Sequence, residues 1–265
     1  MEGVTIYKDD EYCVFYVEYF SEELKNAIKD NLSAICHGEA DSQSGKPLYN
    51  YKKTLAELIE RYKAKNKDKQ IGLIGELLVH VLIRTELLDF SIDSPYFNME
   101  ERSVKKGFDI VIDNSKSETL WIAEVKSGNI HQKKTSTQTI VELINTAKND
   151  LRNRLNNNNN NTRRLWLNAI HGAKLVLDHI PDKKRAIVSI LEDNAENSNS
   201  SSINVILVGS LFHDITDKFD QVNVFEKKKR IDNESIFNDV FVIAIQKHTH
   251  DTIYEFLKSE SGDDE

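Results

Sequence analysis

The stretch FDIVIDNSKSETLWIAEVKSG, Phe108 to Gly128, holds two apolar runs of strand length around the polar turn DNSKSE. Strands point successive side chains to opposite faces, and a turn this short joins antiparallel neighbours. Phe108–Asp113 and Thr119–Lys126 are therefore predicted as a hairpin. Asp109 opens its first strand, and Glu124 and Lys126 close its second. Alternation puts Glu124 and Lys126 on the face of Ile122, opposite Trp121, Ala123 and Val125, and puts Asp109 on the face of Val111. The turn can bring the start of one strand beside the end of the other, so Asp109 and Glu124 can be neighbours.

Two carboxylates in a half-buried place repel each other and lose hydration unless a cation lies between them. Hard oxygen ligands, few in number, suit Mg2+ or Mn2+. A lysine two residues after the second carboxylate sets an ammonium beside the same place, able to orient or deprotonate a water for attack on a phosphodiester.

A third carboxylate, Glu76, is the one charged residue of QIGLIGELLVHVLI, the apolar stretch of a helix expected over Ile71–Leu88. Gly72 and Gly75 before it would let a neighbouring backbone approach. A helix apolar on all sides is a buried one. Before it come a strand, Cys13–Phe20, an amphipathic helix, Glu22–Ile35, and a helix at Tyr51–Lys65. A further strand fits Phe97–Val104, ahead of the hairpin. After it follow a long helix through Ile140–Leu155, a run of asparagines at 156–161, and helices near Arg163–Leu177 and Lys183–Leu191. Strands Ile203–Leu211 and Val240–Gln246 flank a charged loop with KKKR, Lys227–Arg230, and a helix at Asp251–Lys258 leads to an acidic tail. The expected fold class is α/β: a mixed sheet flanked by helices, with an N-terminal strand–helix extension (1–48), a main domain (49–258) and the tail (259–265).

A helix glutamate, then an aspartate, fourteen residues, and Glu-x-Lys resembles the PD-(D/E)XK nuclease superfamily, with its restriction-endonuclease-like αβββαβ core. The strings IGLIGELLVHVLI, GFDIVI, LWIAEVKSG and VFVIAI look closer still to the HamA family, the nuclease subunits of Hachiman anti-phage defence. The resemblance implies a Mg2+- or Mn2+-dependent DNA nuclease working with, and restrained by, a HamB-like helicase subunit. It makes Asp109 and Glu124 metal ligands, Val125 a donor of its backbone carbonyl, Lys126 the catalytic lysine, and Glu76 a further acidic ligand or an outlying support. Two other readings stand beside it: a catalytically silent nuclease fold serving as adaptor for a helicase or nucleic acid, and a sequence-specific restriction endonuclease.

A net charge of −8 excludes a protein drawn to nucleic acid by its overall field, though not a nuclease with a local basic rim. Lys105, Lys106, Lys133 and Lys134 could form that rim, and Gln138 could touch DNA or a metal-bound water; a solvated face and an ordinary polar first helical turn explain them too. His80, one turn after Glu76, reads as a core histidine, and Cys13 and Cys36 as buried thiols. With neither a signal pattern nor a bilayer-length apolar run, the expectation is a cytoplasmic protein without a membrane partner.

Overall fold

The computed structural model describes residues 1–97, 107–130, 133–156, 160–197 and 199–262. The chain enters on β1 (Val4–Lys8) and β2 (Tyr12–Val17), joined by a turn in which Asp9 Oδ1 accepts from the N–H groups of Glu11 and Tyr12. Helix α1 (Glu22–His37) starts at Ser21, whose hydroxyl accepts from Leu24 N–H. A short α2 (Glu39–Ser42), then α3 (Tyr51–Lys63) and α4 (Lys67–Glu86), complete the first helical layer. Three strands follow, β3 (Phe90–Ile92), β4 (Ile110–Asn114) and β5 (Thr119–Asn129), then α5 (Ser136–Asn156), α6 (Asn160–Val176) and α7 (Pro181–Asn197). The chain ends on β6 (Asn204–Phe212), α8 (Gln221–Asn233), β7 (Asp239–Lys247) and α9 (Asp251–Ser261).

Among the described residues seven strands join one sheet in the order β1-β2-β7-β6-β5-β4-β3. Strands β5, β6, β7 and β2 run parallel, while β3, β4 and β1 are antiparallel to their neighbours. Both faces are covered, so the central strands read as nearly continuous apolar runs. One core packs Leu24, Leu55, Leu77 and Leu257 of α1, α3, α4 and α9 on Ala123 and Ile243. The other packs Ile140, Trp166, Leu191 and Val224 of α5, α6, α7 and α8 on Val111, Ile122 and Val242. The fold is thus α/β, a mixed sheet between helical layers, and the first 48 residues add β1 and β2 to that sheet through β7.

The hairpin has the expected register, from Ile110 opposite Ala123 to Asn114 opposite Thr119. Its turn is held by Asn114 Oδ1, which accepts from the N–H groups of Lys116 and Ser117. The strand expected at Phe97–Val104 is corrected in part. The strand paired with β4 is Phe90–Ile92; Phe97 lies outside any strand, and 98–104 fall outside the described residues. The loop expected around KKKR is helix α8, because Val224 and Ile231 bury themselves at helical spacing and Asp220 caps the start. A Cβ on Gly75 would press on Ser127 of β5, as a close approach requires, but one on Gly72 would meet nothing within 4 Å among the described residues.

Candidate active site

Strand β4 ends its ladder at Ile110 while β5 runs on to Asn129. One step past the last pair, Asp109 Oδ2 accepts from the Val125 N–H at 2.8 Å, a bond that the missing strand would otherwise make. This fixes Asp109 beside Glu124, whose side chain is fully buried on the face toward α5.

Helix α5 packs along β5, and four helical residues advance about 6 Å, close to the ~6.6 Å of two strand residues. Asp150 and Arg154, one turn apart on α5, therefore match Lys126 and Glu124, two apart on β5. Lys126 Nζ lies 2.8 Å from Glu124 Oε1 and 2.7 Å from Asp150 Oδ2. Arg154 Nη1 lies 2.9 Å from Glu124 Oε2 and 3.9 Å from Asp109 Oδ1. The two carboxylates thus converge on one cationic nitrogen.

Burial, and next the Asp109 carboxylate, push Glu124 up to about 7 against the pull of Arg154 and Lys126. Burial lowers Lys126, but Glu124 and Asp150 outweigh it and the amine is raised, so Lys126 is an ammonium at neutral pH. The cluster is poised between three carboxylates and two cations, in a place where any change of charge is expensive.

The structure brings Asp109, Glu124 and Lys126 together. Glu76 comes from α4, over the opposite face of β5, with its Oε1 3.9 Å from His80 Nε2. Among the described residues no group of three or more His, Cys, Asp and Glu side chains gathers closely enough to hold a metal ion. Gln138 belongs to a reciprocal cap, its Oε1 accepting from Thr135 N–H while Thr135 Oγ1 accepts from Gln138 N–H. Lys133 sits in a turn and Lys134 pairs with Glu142 at 2.5 Å, both at the opposite end of α5 from Arg154, which sixteen helical residues put about 24 Å beyond Gln138. Lys105 and Lys106 lie outside the described residues. In the KKKR run, Lys227 donates to Asn145, Lys228 pairs with Asp232 at 2.8 Å, Lys229 covers the Phe225 ring and Arg230 pairs with Glu226 at 3.3 Å. His80, Cys13 and Cys36 are buried.

Arg154 and Asp150 are the functional candidates the sequence reading passed over. Their signal was a charged i, i+4 pair, each member directly before an apolar stripe residue, Leu151 and Leu155. A second charged cluster lies farther along β4: Lys183 of α7 reaches Asp93 at 2.9 Å and pairs with Asp113.

Fold and site together define an α/β protein whose mixed sheet offers an acid–acid–lysine set from two adjoining strands. The HamA family model matches residues 4–260, and the chain belongs to the HamA family, which puts it in the setting of Hachiman anti-phage defence. Comparison with curated proteins gave no match. No helix among the described residues is long and apolar enough to cross a membrane.

Proposed function

We propose that this chain is a divalent-metal-dependent DNA nuclease of the PD-(D/E)XK kind, the effector of its defence system, restrained by a helicase partner. The observation that carries the reading is the convergence of Asp109 and Glu124 on a single cation position, with the Lys126 ammonium alongside. The order α4, β3, β4, β5, α5, β6, with α6 and α7 inserted before β6, follows the αβββαβ core of that superfamily.

The donor set fits a hard dication. Asp109 and Glu124 would hold Mg2+ or Mn2+ with the Val125 carbonyl, while Glu76, over the opposite face of β5, stands outside this set. The ion supplies Lewis acidity and a more acidic water. Lys126, kept protonated by Glu124 and Asp150, orients the attacking water and offsets charge growing on the phosphate oxygens. Glu124 is itself buried, so bulk water screens its charge little.

The test is cleavage of supercoiled plasmid with Mg2+, by the chain alone and with its helicase. Asp109→Ala, Glu124→Ala and Lys126→Ala should each cut cleavage by at least ~100-fold, a size usual for loss of a charge-stabilising group, with folding kept. Cleavage unchanged in these variants rejects the site. The silent-adaptor reading draws on Arg154, which already neutralises the carboxylate pair; partner binding without Mg2+ and no cleavage by the assembled complex would favour it. Discrete fragments in place of a smear would point to a sequence-specific enzyme.

A further inference from the structure

Arg154 lies on the solvent side of the carboxylate pair: its side chain is 34% exposed, against 16% for Asp109 and 0% for Glu124. The two oxygens of Glu124 are divided, Oε1 to Lys126 and Oε2 to Arg154. Lys126 has a second anchor in Asp150 at 2.7 Å, whereas among the described residues the Arg154 guanidinium pairs with the Asp109 and Glu124 carboxylates alone. A small dication held between Asp109 Oδ1 and Glu124 Oε2, with oxygen contacts near ~2.1 Å, would take the position that Arg154 Nη1 now holds. Of the two cations at the pair, Arg154 is the one placed to leave, outward and without breaking the Lys126–Asp150 link.

Resting on the metal-dependent reading above, we infer that Arg154 is a built-in counter-ion guarding the metal position: it satisfies Asp109 and Glu124 in the metal-free protein, and a divalent ion binds only by displacing it. Metal and arginine compete for one place. The guard keeps the buried pair compensated when no metal is present and makes loading weaker than two carboxylates alone would give. Arg154 thereby acts through the ligands and is a positioning residue.

The experiment is calorimetric titration of Mn2+ into the full-length chain at pH 8, with Arg154→Gln and Arg154→Lys beside the natural sequence and Asp109→Asn as the control lacking a ligand. Arg154→Gln should bind Mn2+ at least tenfold more tightly than the natural chain, with Arg154→Lys between them. Without metal Arg154→Gln should melt lower, and Mn2+ should raise its melting point by more than that of the natural chain. A merely structural arginine would lower the melting point and leave Mn2+ affinity alone. Should Arg154→Gln not fold, Arg154→Lys must still bind more tightly than the natural chain. Equal or weaker binding in the folded variants overturns the guard. No saturable binding by any of the proteins, Asp109→Asn included, overturns the metal reading beneath it.

Discussion

Gly75 lets α4 sit on β5 one residue beyond Lys126. A Cβ there would lie 1.9 Å from Ser127 Oγ and 2.6 Å from Ser127 Cβ, with the next atom, Phe212 Cε2, at an ordinary 3.6 Å. The hydroxyl can rotate away, but Ser127 Cβ is fixed to a strand paired residue by residue with β6, where Ser127 faces Ser210. Helix and strand must part by about 1 Å, an overpacking strain of about 1–3 kcal/mol. Alanine's better helix propensity returns roughly 0.8–1 kcal/mol. Gly75→Ala should therefore destabilise by up to about 2 kcal/mol. In a Ser127→Gly background both obstructing atoms are gone, and the same substitution should stabilise by up to about 1 kcal/mol. Ser127 Oγ is buried with no hydrogen-bond partner among the described residues, so its removal forfeits no bond seen there. Urea unfolding of the four proteins, with unchanged m-values, measures the coupling, expected to equal the strain at about 1–3 kcal/mol. Additivity within about 0.5 kcal/mol would refute the packing argument.

Two further substitutions test the fold around the site. Asp93 is fully buried beside Asp113, and burial above all raises it to about 8. Folded protein then holds a proton that unfolded chain releases, so this group's stabilising share is complete below about 4 and is lost as pH rises to about 8. Asp93→Asn should gain stability relative to the natural chain over that window, by a few kcal/mol at ~1.4 kcal/mol per unit; parallel urea midpoints at pH 5 and pH 8.5 would contradict this. Tyr16 Oη donates to the Phe219 carbonyl at 2.7 Å in a buried place. Tyr16→Phe strands that carbonyl and should cost about 1–2 kcal/mol in thermal unfolding, and a loss under ~0.3 kcal/mol would mean that another donor takes over.

What the sequence disclosed, it disclosed locally. The hairpin from Ile110 to Asn129 follows from period-two runs and an asparagine turn, and α4 from thirteen almost unbroken apolar residues. Strand β3 is three residues long, too short to show a period, and β1 is a half-buried edge strand. Helix α8 escaped because Val224 and Ile231, its two buried apolar residues, make a faint stripe among many charges, although Asp220 marks its start. At the site, Asp109, Glu124 and Lys126 could be joined by alternation and one turn. Arg154 could not, because its place over Glu124 depends on how α5 lies along β5, which no local pattern encodes. Glu76 shows the converse: a lone charge in an apolar stretch of helix announces that it needs company without saying on which face of the sheet it will find it.

The pairing of β2 with β7, Tyr12 opposite Val242, also has a consequence for synthesis. Strand β2 leaves the ribosome with β1 as its partner, but its other edge waits for β7, some 230 residues later. A translation product cut short before residue 239 would present a bare β2 edge, a template for aggregation. Closing so long a loop is slow, so an interrupted message would yield clumped polypeptide, with its four-stranded parallel array never assembled.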